Sequence, residues 1–187
     1  MDKVKEAILN PSRISRSIGL RLMLIFALWC SFGFRYEESE EYSVKAAFIY
    51  KFTNYIDWGT LTPANDFVIG IVGTSPIKDQ LNEIARTKTV NTRKIVIKQF
   101  NKVEDIEACQ ILFIPDRSTL KLDDILGRLT AKGTLTISER DGYAERGTEI
   151  NFVEVDNKLK FEANPKAINA AGLKASSQLL KLAIIVE

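Results

Sequence analysis

Apolar and polar positions switch between two periods along the chain, and each switch marks an element. Val44, Phe48, Phe52 and Tyr55 recur at spacings of four, four and three, with Ala47, Ile49 and Ile56 widening the stripe. That period predicts an amphipathic helix over about residues 40–56. The acids Glu37, Glu38, Glu40 and Glu41 stand at its positive end, and Ser39 is a ready cap. It stops at Asp57-Trp58-Gly59, where an aromatic adjoins a turn glycine.

The next segments read as strands. Phe67 to Val72 is apolar and short, and Gly73-Thr74-Ser75-Pro76 breaks it ahead of a helix over 76–86 that turns Ile77, Leu81 and Ile84 to one side. Residues 94–100 form a second strand, followed by the polar stretch 101–107. Ile111, Leu112, Phe113 and Ile114 then follow one another without a polar break, as a strand covered on both faces requires. Pro115 ends it. A helix over 118–132 with Leu122, Ile125, Leu126 and Leu129 inward, closed by Gly133, leads to a strand over 134–138. Helices alternating with such strands predict an α/β fold: three layers, a mixed and mostly parallel sheet flanked by helices.

The last third adds an antiparallel C-terminal hairpin as an edge of that sheet. Asp156-Asn157 joins two runs as a two-residue turn, and pairing Phe152 with Phe161, Ile150 with Ala163 and Asn151 with Glu162 segregates apolar from polar partners. Asn164 and Pro165 then start the final helical region, which Gly172 divides before 173–185. The mature chain, 34–187, reads as one domain.

Composition narrows the function. With no histidine and cysteine only at positions 30 and 109, Ser-His-Asp, Cys-His and Cys/His zinc centres are excluded. The formal charge of +2 is unevenly spread: residues 1–33 hold Lys3, Lys5, Arg13, Arg16 and Arg21 against Asp2 and Glu6, so the remainder is slightly acidic. No basic footprint for nucleic acid remains. Behind those cations stand thirteen uncharged, mostly apolar residues, 22–34. As a helix they cover about 20 Å of a hydrocarbon core of about 30 Å, which suits an N-terminal signal peptide over 1–33 and export to the periplasm. Cys109, alone once Cys30 is removed, reads as a small buried hydrophobe.

Local motifs offer little chemistry. Gly73-Thr74-Ser75-Pro76 lacks both the dinucleotide fingerprint and the P-loop lysine, and serves as a helix cap. Ser118-Thr119-Leu120-Lys121 has the serine-lysine spacing of penicillin-recognising enzymes in a chain far too short for that fold. The expectation is a protein that is not an enzyme and uses no cofactor or metal. Tyr55 and Trp58, aromatics beside a turn, are candidate partner anchors. Arg140 and Arg146, in a charged loop at the carboxyl end of a strand, form a second candidate patch. The alternative is a periplasmic small-ligand receptor whose pocket would be lined by Arg93, Ser138 or Glu162.

Taken in order, residues 42–52, Asp57-Trp58, Ile71-Val72-Gly73, 109–114, Leu135 to Ser138, 161–164 and 173–183 resemble the YfiR family of small exported bacterial proteins, over about 42–184. The resemblance implies a periplasmic α/β domain that acts by binding. The best-understood members of that family hold an inner-membrane diguanylate cyclase inactive through its periplasmic portion and so lower cyclic di-GMP output. The partner implied here is such a cyclase or another inner-membrane sensor, with a homodimer as the accompanying expectation. This chain has Trp58-Gly59 where the family commonly has Trp-Pro, and it lacks partners for the disulfides of some members.

Overall fold

A computed structural model describes residues 39–59, 66–129 and 132–186. The chain divides into two compact units, Met1–Glu41 and Tyr42–Glu187. The first is described only over residues 39–41, which are helical, and the expected signal peptide lies outside the described residues. Among the described residues, no helix is long and apolar enough to cross a membrane.

The protein is α/β, built on a large mixed sheet. Residues 39–52 are helical (α1), and the strands and helices that follow are β1 (Ile56–Asp57), β2 (Phe67–Val72), α2 (Ile77–Thr87), β3 (Thr89–Val90), β4 (Arg93–Phe100) and β5 (Ile111–Ile114). Then come α3 (Leu122–Arg128), β6 (Leu135–Ser138), β7 (Ile150–Val155), β8 (Lys158–Ala163), α4 (Pro165–Ala170), β9 (Lys174–Ala175), α5 (Ser177–Leu182) and β10 (Ile184–Ile185). The large sheet has the order β10-β8-β7-β6-β5-β2-β4-β3, while β1 and β9 pair separately. From β4 through β7 neighbouring strands are parallel.

The order explains the layers. The β2-α2-β4 crossover moves one way along the sheet and β5-α3-β6 moves the other, so right-handed connections place α2 and α3 on opposite faces. On one face Ile49 and Phe52 of α1, Leu81 of α2 and Leu179 of α5 pack with Phe67, Ile69, Ile71, Phe113 and Ile137. On the other, Leu122 and Ile125 of α3 pack with Val72, Leu112 and Ile114. The unbroken apolar run of β5 is buried throughout, as a doubly covered central strand must be. Gly70 in β2 permits a close approach: a Cβ there would come within 2.6 Å of the Phe100 ring.

The hairpin register is the one that the side chains dictate, Phe152↔Phe161, Ile150↔Ala163 and Asn151↔Glu162. Asp156 and Asn157 take φ of 53° and 56°, as a primed two-residue turn requires. Asn164 caps α4 by accepting from the Ala167 amide at 2.9 Å, with Pro165 next.

Four features differ from expectation: the end and the buried face of the first helix, the start of α3 and the edge of the sheet. α1 ends at residue 52, because Ile56 pairs with Ala175 instead of continuing the helix. Its buried face is also rotated: Lys45, Ala46, Ile49 and Phe52 are buried, whereas Val44 is 45% exposed. Ser118 accepts from the Leu120 amide in a turn ahead of α3, which therefore starts at Leu122. β10 pairs in parallel with β8, so the hairpin is not the sheet edge, and the exposed apolar side chains Ile184 and Ile185 lie on β10 instead, with Leu182 exposed at the end of α5.

Candidate functional site

Strand order reverses between β2 and β5, and in open α/β sheets the crevice outside the carboxyl ends at such a point is the customary binding position. Here α1 and the segment after β6 fill it with charge. Lys45 Nζ lies 2.5 Å from Glu139 Oε2, with the two side chains only 8% and 4% exposed. Tyr42 donates its hydroxyl to Glu139 Oε1 at 3.2 Å, and the Asp116 amide, just past β5, donates to the same oxygen at 3.1 Å. Burial, reinforced by the neighbouring Glu139, pushes the Tyr42 phenol up to about 12. The cluster is therefore an internally neutralised strut that ties α1 to β5 and β6.

From this strut the loop 139–148 reaches outward. Tyr143 and Ala144 are buried within it, and the Thr148 amide donates to the Tyr143 carbonyl at 3.0 Å. Arg140 donates from Nε to Asp116 at 2.9 Å and from Nη1 to the Tyr143 hydroxyl at 3.0 Å. Arg146 donates to Asp123 of α3 at 3.1 Å. Both guanidiniums lie over the Tyr143 ring, 5.4 and 5.3 Å from its centroid. Two arginines six positions apart are thus gathered about one aromatic and held by acids from two other elements, with their side chains 39% and 51% exposed. Such a surface can present oriented cations to an acidic partner.

The other residues singled out from the sequence fall elsewhere. Trp58 is only 5% exposed; its indole N–H donates to the Gln110 carbonyl at 3.2 Å and its ring meets Phe67 edge-on at 5.3 Å. So placed, its ring is core packing rather than contact surface, because Phe67 and the chain before β5 take both its apolar body and its polar handle. Tyr55 is half-buried, and its carbonyl accepts from the Ser176 amide at 2.8 Å. Trp58 lies at the amino end of the strands and Arg140 at the carboxyl end, so a strand length of about 20 Å separates the two expected patches.

The receptor residues divide in the same way. Ser138 is fully buried and bonds Thr148 Oγ1 at 2.8 Å and Asn151 Oδ1 at 2.7 Å, while Asn151 donates to Glu162 at 3.0 Å. This chain of bonds crosses β6, β7 and β8 and consumes the polar groups of Ser138 internally. Arg93 opens β4 and lies over the Phe67 ring at 5.2 Å, beside Trp58 and away from the other two. Ser138 and Glu162 are linked, but Arg93 does not join them in one pocket.

Sequence reasoning did not find Tyr42, Lys45 or Asp116 as members of the carboxyl-edge cluster. The available signal was Lys45 itself, one position from the apolar stripe of α1; its partner is 94 residues away, beyond the reach of any local pattern.

A family model described as YfiR/HmsC-like matches residues 42–184, from α1 to the start of β10. No curated protein matches the chain. The match takes in the sheet up to the first residue of β10, the strut and the arginine loop, and the chain belongs to the YfiR/HmsC-like family.

Proposed function

We propose that the domain acts beyond the inner membrane as a non-catalytic restraint: it binds the periplasmic part of an inner-membrane signalling protein, a diguanylate cyclase or a related sensor, and holds it in its less active state. Membership of a family of periplasmic regulators, over nearly the whole described fold, is the observation that carries this reading. The N-terminal pattern of cations followed by a short apolar run supplies the route of export.

The mechanism is a population shift. Binding one state of the partner more tightly than the other lowers output by the ratio of the two affinities, with no chemistry in the regulator. Arg140 and Arg146, oriented by Asp116 and Asp123 over Tyr143, are the contact residues we assign first, with Tyr55 as a second anchor. Because these arginines are partly solvated, their effect falls on association and partner choice more than on the fold.

The test is recovery of membrane proteins on the immobilised full-length chain, compared with the double charge reversal Arg140→Glu/Arg146→Glu. Wild type retains an inner-membrane signalling protein, and the reversal lowers its recovery at least tenfold. Equal recovery by both would remove the arginine loop from the interface. Recovery of no membrane protein would sink the reading as a whole.

A further inference from the structure

On the face that carries α3, a cleft of about 500 Å³ opens between α3 and α4. Leu126 of α3 and Ala167 and Ala170 of α4 give it apolar walls, and the exposed Lys132 and Lys166 supply cations around it. At its base lies Glu149, only 6% exposed.

Glu149 holds Thr136 through one carboxylate oxygen. Oε2 accepts from the Thr136 amide at 2.6 Å and from the Thr136 hydroxyl, while the Glu149 amide donates back to that hydroxyl at 3.3 Å. This reciprocal clamp ties the segment before β7 to β6. Among the described residues no other residue donates to Oε1, and the Glu149 backbone amide also acts on the carboxylate. Glu149 is one of the residues that line the cleft, so its carboxylate is the acid that a ligand there would meet.

A clamp alone does not call for a carboxylate, because a glutamine oxygen accepts the same two bonds without a buried charge. Burial pushes the Glu149 carboxyl up to about 7, the Thr136 bonds pulling in the other direction. No cation is within ion-pair distance of it among the described residues, in contrast to Glu139 with Lys45. The site is thus a nearly buried acceptor in a cleft walled by both apolar and polar side chains, with two lysines in its lining and a volume in the range of small-molecule pockets.

We propose that this cleft binds a small organic molecule with an ammonium group donating to the Glu149 carboxylate, an apolar body along Leu126 and Ala170, and an acidic group held by Lys132 and Lys166. The ammonium supplies the positive charge that the fold withholds from Glu149, and the lysines select against a simple amine. Glu149 must be ionised to accept it, and Lys132 and Lys166 are the charged groups lining the cleft around it, so affinity rises with pH through about 7. The inference is independent of the partner reading, since it needs no membrane protein.

The experiment is a titration of the purified full-length chain, followed by backbone amide shifts of Thr136, Glu149 and Ala167, with 6-aminohexanoate, hexylamine and hexanoate as probes at pH 8. The zwitterion is expected to move these amides saturably. Glu149→Gln should weaken it at least tenfold, and lowering the pH to 5.5 should do the same. Lys166→Glu, a surface change that spares the core, should weaken 6-aminohexanoate but not hexylamine. The proposal fails if none of the probes saturates these amides, or if the zwitterion binds equally well at both pH values and to the Glu149 variant.

Discussion

Two buried glutamates, ten residues apart in sequence, show what burial does when the surroundings differ. Glu139, at the carboxyl end of β6, meets an ammonium, a phenol and a backbone amide. Glu149, just before β7, meets among the described residues the amide and hydroxyl of Thr136 and its own backbone amide, and no cation. The first is neutralised by its own fold and acts as a strut between layers. The second lines a cleft without a counter-charge among the described residues, and its proton becomes harder to remove. A buried charge thus reads as structural when the chain supplies its counter-charge, and as a binding group when the chain withholds it.

The sharpest way to break this contrast is to take away the counter-charge. Lys45→Met leaves Glu139 buried beside a methyl thioether and should cost about 3–5 kcal/mol in urea unfolding, because the uncompensated charge must be desolvated. Pairing it with Glu139→Leu should recover most of that loss. A cost below about 1 kcal/mol for the single change would mean that the strut contributes little.

Next in size is the pH dependence of Glu149. Its folded value of about 7 lies above the ordinary 4.5, so between these values the folded chain binds more protons than the unfolded one. Stability contributed by this group is therefore present below pH 4.5 and lost as pH rises through 7, by on the order of 2–4 kcal/mol. Glu149→Gln should flatten that part of the stability profile and leave the chain more stable than wild type at pH 8. An unchanged slope between pH 4.5 and 7 would contradict the assignment.

The smallest effect belongs to the exposed pairs. Arg146→Ala removes a solvated contact with Asp123 and should shift stability by about 0–1 kcal/mol, decreasingly so in salt. A larger loss would show that the arginine loop is itself a strut like Lys45–Glu139, and would weaken its assignment as a surface for partners.

The resemblance noted from ordered sequence segments and the match of the family model cover the same stretch, yet they bear unequally on the site. The strands β2 and β4 to β8, the helices between them and the hairpin were readable as local patterns, whereas β1, β3, β9 and β10 were not. Neither the pairing of Lys45 with Glu139 nor that of Thr136 with Glu149 was. A clue to the second was present in Thr134-Leu135-Thr136-Ile137-Ser138, where every other residue is polar, in a strand that the structure buries throughout. Hydroxyls in such a strand must find buried partners, and Thr136 and Ser138 find Glu149 and Asn151.

Sequence alone determined the elements whose causes lie within a few residues. The apolar run of β5, the Asp156-Asn157 turn with its register, and the Asn164-Pro165 cap each follow from backbone preference and side-chain period. Tertiary structure decided which face of α1 is buried, that Trp58 packs inward, and which of two glutamates acquires a cation. Periodicity shows that a residue is amphipathic or charged; its partner is set by how the layers stack across many tens of residues, where no local rule applies.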